Sequence, residues 1–150
     1  MVVNPIPESY QRVTPYLLVD GAAGEIDFLV AAFDAEERGE RMPGPNDTIG
    51  HAEVNVGDSV IMLADAGEQF PATRALSLVY VENVDATYER AMAAGATSDQ
   101  EPETQFYGDR TANITDPFGQ RWTIASHVEE VPPDEMGRRV QALLEQAQDA

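Results

Sequence analysis

His51 and Glu53 stand two residues apart in the run Gly50-His51-Ala52-Glu53-Val54-Asn55-Val56. On a β-strand that spacing puts both side chains, with Asn55, on one face. An imidazole beside a carboxylate can take up and return a proton, or grip a ligand through hydrogen bonds. His127, the only other histidine, ends the alternating series Arg121, Thr123, Ala125, His127. Together with His51 and Glu53 it could make a divalent-metal site. His51 and Glu53 alone would suit a metal-free acid–base catalyst. The plain alternative is a solvated strand face carrying an ion pair.

Aromatic and basic residues supply the remaining candidates. Tyr16 follows Pro15 in a strand-like run and offers a stacking wall. Tyr107 and Arg110 flank Gly108-Asp109 in a loop entering a strand; they either close over a ligand or order the loop. Trp122 alternates with Thr123 and is expected in the core. Gly21 and Gly24 precede a helix without the lysine of a phosphate loop, and no Gly-x-Ser-x-Gly elbow occurs. Cysteine is absent, which excludes disulfides, thiolate metal sites and thiol nucleophiles.

Twenty-seven acidic residues face nine basic ones, all of them arginine, for a formal net charge of −18. Such a surface repels phosphate backbones, so neither nucleic acid nor an anionic membrane is an expected partner. It would attract a cationic small molecule, although scattered acids equally describe a salt-adapted surface. The start, Met1 to Arg12, has no cationic stretch leading into an apolar run, and no segment reaches the roughly 20 apolar residues of a membrane span. A cytoplasmic protein is the expectation.

The elements that must carry these residues come in two similar series. Val13–Val19 is rich in strand formers, and Asp20 is placed to cap a helix over Ala22–Phe33, whose Ile26, Leu29, Val30 and Phe33 make one apolar face. Residues 41–50 read as loop. His51–Val56 and Ser59–Ala64 form a hairpin around Gly57-Asp58. The order then recurs: a strand at Leu76–Val81, a helix after Asp85 ending at Gly95, and a hairpin of Thr111–Thr115 and Arg121–Ser126 around Asp116–Gly119. Val19 and Val81 stand as far apart as Ala31-Ala32 and Ala93-Ala94. Pro133 opens a terminal helix with Met136, Val140, Leu143, Leu144 and Ala147 on one stripe, to be packed on its own body or across a dimer.

The expected fold is therefore α+β: two tandem βαβββ modules forming a curved mixed sheet around a concave cavity, plus the C-terminal helix. Residues 1–150 read as one domain, with a first module at about 12–65, a linker at 66–74, a second module at about 75–128 and the helix at about 133–148.

The pieces Val13-Thr14-Pro15-Tyr16-Leu17-Leu18-Val19, Gly50-His51-Ala52-Glu53, Gly57–Leu63, Tyr107–Arg110 and Asp116–Ile124, in that order, resemble the PhnB-like branch of the glyoxalase/bleomycin-resistance, or vicinal oxygen chelate, superfamily. The resemblance implies paired modules, commonly assembled as a dimer. The superfamily's metal enzymes place a ligand on the first and the last strand of each module. Carried over, those positions are Thr14, Met62 (or its neighbour Ile61), Leu76 and Thr123. None supplies imidazole or carboxylate, so no metal and no cofactor is expected there. The resulting expectation is a metal-free homodimer that binds a small molecule, of the sequestering kind found among resistance proteins. Its ligand contacts would come from Tyr16, His51, Glu53, Met62, Tyr107, Arg110, Arg121 and Thr123. The rival is an enzyme with a displaced site around His51 and Glu53, either a divalent-metal lyase, isomerase or dioxygenase that also uses His127 or a metal-free acid–base catalyst, and a third possibility is a structural or regulatory dimer with a filled cup.

Overall fold

The computed structural model describes residues 2–149. Two mixed sheets repeat one topology. In the first, β1 (Tyr16–Val19), β5 (Ser59–Asp65), β4 (Ile49–Val56) and β2 (Glu36–Glu37) lie side by side, and the short β3 (Met42–Pro43) also pairs with β4. In the second the order is β6 (Leu76–Tyr80), β9 (Arg121–His127), β8 (Asp109–Thr115) and β7 (Thr97–Thr104). The opening strand of each module runs parallel to its last, β1 with β5 and β6 with β9, and every other pairing is antiparallel. Helices α1 (Ala22–Phe33), α2 (Val84–Ala93) and α3 (Pro133–Gln148) complete the α+β fold.

Leu17, Val54, Ile61 and Leu63 from the first sheet and Ile114, Trp122 and Ile124 from the second share one continuous core with α1 and α2. The Phe33 and Trp122 rings meet at 5.2 Å across the two modules. Arg90 of α2 bridges to α1, donating to the Ala31 carbonyl and to both Asp34 oxygens. The Asp116–Gly119 turn does the same from the other end. Asp116 Oδ1 accepts from the Phe118 and Gln120 amides and Oδ2 from the Trp122 indole, which aims the Phe118 ring at Gly21 and Gly24 of α1.

Several expectations change. Asp20 does not cap α1: Gly21 holds the N-cap position with positive φ, and Asp65 at the end of β5 accepts from the Gly21 and Ala22 amides. The same carboxylate accepts from Ile49 N, so one side chain ties helix, β4 and β5 together. On α1, Val30 faces outward, while Ala22, Glu25 and Phe28 join the buried face. Ile49 and Gly50, read as loop, extend β4 to pair with Pro43. The first strand is shorter than predicted, because Pro15 has no N–H to enter the ladder. Strand β7 fills the βαβββ pattern, but no residues were assigned to it from the sequence. It is an edge strand with Pro102, three acids and two register breaks, so apolar alternation cannot reveal it. The terminal helix runs as predicted, but none of its residues is buried.

Candidate functional site

Strand parity delivers His51 and Glu53 to the face of the first sheet opposite α1, since their neighbours Ala52 and Val54 are in the core. Register sets the rest. Met62 lies between Tyr16 on one side and Glu53 on the other. Tyr16 therefore reaches past Met62 to His51, its hydroxyl 2.8 Å from Nδ1. His51 Nε2 lies 2.7 Å from Glu53 Oε2. The second Glu53 oxygen accepts from the Tyr10 hydroxyl at 2.8 Å and faces Arg38 Nε at 3.5 Å. Arg38 in turn stacks over the Tyr10 ring, 4.4 Å from its centre.

A carboxylate only accepts, so the proton between His51 and Glu53 sits on Nε2; in the neutral ring Nδ1 then carries the lone pair, to which the Tyr16 hydroxyl donates. Burial pushes the Glu53 carboxyl up, but the hydrogen bonds from His51 and Tyr10 and the charges of His51 and Arg38 outweigh it, leaving Glu53 below its ordinary range. Burial, then the Glu53 charge, holds the Tyr16 phenol above its ordinary value. The cluster is thus a phenol, an imidazole and a carboxylate in series.

His127 is not part of this cluster. At the end of β9 its Nδ1 lies 2.8 Å from Asp109 Oδ1 and its Nε2 3.0 Å from Glu130 Oε1, while the Tyr80 hydroxyl donates to Asp109 Oδ2 at 3.2 Å. Two carboxylates facing one ring favour two N–H groups, and Asp109, then Glu130, raises the His127 pKa. Among the described residues no three His, Asp or Glu side chains group so as to hold a metal ion. The combination of His51, Glu53 and His127 is not assembled within one chain.

The four positions carried over from the metal enzymes do not fit a metal either. The Thr14 hydroxyl donates to the Gln11 carbonyl and that of Thr123 to Asn113 Oδ1, and Met62 and Leu76 carry no hard donor. The other candidates disperse. Arg110 donates twice to Asp85 of α2 and once to Thr104, which ties the loop to the helix. Tyr107 packs edge-on against Phe106, 5.3 Å between ring centres. Arg121 and Thr123 share the outer face of β9, below the exposed stripe of Leu76, Leu78 and Tyr80 on β6. A groove of about 950 Å³ opens between the modules, where Phe33, Ile61, Leu78 and Trp122 contribute to its wall; none of the eight sequence-predicted ligand residues lines it.

Tyr10 and Arg38 were not found from the sequence. Neither lies in a periodic element, and only the folded chain brings the lead-in and the loop after β2 onto Glu53. Tyr80 and Asp109 were within reach, because strand parity places Tyr80 with Leu78 and Asp109 with His127.

A family model described as Glyoxalase/Bleomycin resistance protein/Dioxygenase superfamily matches residues 11–124. An uncharacterized protein of Mycobacterium bovis is 38% identical over 147 residues, covering 91% of this chain and 93% of its own. A second, from Mycobacterium tuberculosis H37Rv, is 38% identical over the same span and 84% covered. Among solved structures, TioX from Micromonospora sp. ML1 superposes with a TM-score of 0.67 at 25% identity, over 79% of this chain and 99% of that one. A PhnB protein from Bacillus cereus shares the fold, with a TM-score of 0.58 at 19% identity over 77% of this chain and 99% of that one.

Proposed function

Because this chain belongs to the Glyoxalase/Bleomycin resistance protein/Dioxygenase superfamily, we propose that it binds a small organic molecule on the outer face of its first sheet. Binding is direct, without a metal at the superfamily's ligand positions. The observation that carries this reading is the series Tyr16–His51–Glu53, held from behind by Tyr10 and Arg38. It presents oriented donors and acceptors beside Met62, one of the positions at which the metal enzymes carry a ligand. Net charge of −18 favours a cationic ligand. The working unit is a homodimer: Leu76, Leu78 and Tyr80 on β6 and Val140, Leu143 and Leu144 on α3 are apolar side chains left exposed in the single chain.

Thermal-shift and calorimetric screening against cationic antibiotics and small oxidised metabolites tests the reading. A ligand that stabilises the wild type, and does so far less for the double variant H51Q/E53Q, supports it. Absence of any stabilised complex across both classes counts against it. A stoichiometric metal ion retained after purification, and lost in H51Q/E53Q, would overturn the metal-free part. Light scattering on a sizing column tests the dimer.

A further inference from the structure

The series Tyr16–His51–Glu53 has a direction. Glu53 is the anchored end, engaged by Tyr10 from the lead-in and by Arg38 from the loop after β2. His51 has both ring nitrogens occupied, one by Glu53 and one by Tyr16. Tyr16 on β1 is the open end: it is 44% exposed, and its oxygen keeps a lone pair after donating to Nδ1. Around it stand Met62 of β5 and, beside His51, Met42 of β3; neither titrates. A molecule lying on this face meets the phenol oxygen first.

We infer that Tyr16 is a catalytic acid–base group, relayed through His51 to Glu53, for proton transfer at a carbon of a small carbonyl compound that bears a cationic nitrogen. The inference rests on the binding reading above and extends it to chemistry. In the forward step the substrate C–H bond breaks and its proton passes to the Tyr16 oxygen. The Tyr16 O–H bond breaks in the same step and its proton passes to His51 Nδ1. The C–H electron pair stays on the substrate as its enolate, and nothing is oxidised or reduced. Reversal at the same carbon exchanges the proton and, where that carbon is stereogenic, inverts it.

Charge selects the substrate class. Taking a proton from a cation leaves the bound molecule without net charge, and the positive charge comes to rest on His51 against Glu53. A neutral substrate would be left as an anion near that carboxylate. Arg38, the arginine of this cluster, is already paired with Glu53 and stacked on Tyr10. An anionic substrate would carry two negative charges there.

Three probes of similar size separate these cases: aminoacetone (cation), hydroxyacetone (neutral) and pyruvate (anion). Each is incubated with the full chain in D₂O, and loss of the signals from hydrogens next to the carbonyl is followed by proton NMR. Exchange in aminoacetone is expected to be accelerated at least about tenfold more than in hydroxyacetone, with none in pyruvate. Y16F and H51Q are expected to lose about 100-fold of that acceleration while keeping wild-type circular dichroism. Saturation-transfer NMR reports aminoacetone binding independently. Binding without accelerated exchange overturns the relay and leaves the binding reading standing; neither binding nor exchange overturns both. Equal acceleration by Y16F and wild type overturns the role of Tyr16.

Discussion

Glu25 is the buried charge that the fold does not pair. It lies in α1 with no exposed surface, and neither side-chain oxygen has a hydrogen-bond partner. Its carboxyl is pushed up to about 9, first by burial and then by Asp116, whose own oxygens are filled by Phe118, Gln120 and Trp122. Between pH 5 and 9 the folded chain therefore keeps a proton at Glu25 that the unfolded chain has released. Stability contributed by that proton is fully present below the unfolded value of 4.5 and is lost as pH rises towards 9. The slope is about −1.4 kcal/mol per pH unit, so the full span amounts to at most about 6 kcal/mol and the loss already incurred at pH 7 to about 3 kcal/mol. Glutamine keeps the shape of the protonated acid and never ionises. E25Q should match wild type near pH 4.5 and exceed it by up to about 3 kcal/mol at pH 7. Urea unfolding of both proteins from pH 5 to 9 reads the difference directly, because every other titrating group is common to the two and cancels. Parallel profiles for wild type and E25Q would refute the reasoning: they would mean that Glu25 ionises in the folded chain and that water or a local opening reaches it.

Asp65 makes an opposite prediction. D65A removes the acceptor of three backbone amides and should cost roughly 2 kcal/mol in chemical unfolding. In the wild type those bonds, against the opposing effect of burial, hold the Asp65 carboxyl below its ordinary range, so the contribution is present above about pH 4 and lost as pH falls. Gly24→Ala should destabilise despite alanine's better helix propensity, by about 1–3 kcal/mol, because the new methyl overlaps the Phe118 ring. F118A should absorb most of that cost in a double-mutant cycle, and simple additivity would show that the clash is not with Phe118. Asp109, then Glu130, holds the His127 pKa above 6.5, so its contribution is fully present below pH 6.5 and lost as pH rises through the folded value. H127Q should flatten that part of the stability profile, and an unchanged profile would show that the two carboxylates do not hold the imidazolium.

Where local chemistry decides the outcome, the sequence was legible. Gly57-Asp58 and the Asp116–Gly119 turn needed positive φ at a glycine, and both hairpins form around them. Alternation placed His51 and Glu53 opposite Val54, and Trp122 opposite Thr123, because a strand admits two faces. What stayed hidden depends on residues far apart in the chain. Asp65 caps a helix 43 positions upstream, and Tyr10 meets Glu53 across another 43. Glu25 shows the limit in its sharpest form: on the helical wheel it is an ordinary first-turn acid beside an N-terminus, and only the second module's Asp116 turn, laid over it, makes it a buried one.

The two histidines show how little separates two chemistries on one scaffold. Each sits within a polar series containing a tyrosine and a carboxylate, at its own sheet. His51 has a phenol on its second nitrogen, and a phenol can both donate and accept, so that contact keeps a path for a proton. His127 has a second carboxylate there, which can only accept, so both contacts favour the protonated ring and raise its pKa. The same reasoning gives a substitution that should interconvert them in part. E130Q leaves Nε2 facing an amide that can donate as well as accept, so His127 should titrate at lower pH than in the wild type, by the loss of its second charge partner. Following the ring proton signals of both histidines against pH would show it, with His51 as the internal control. A His127 titration unchanged by E130Q would mean that Asp109 alone sets its state, and that the contrast between the two modules rests on one carboxylate's position rather than on the number of acceptors.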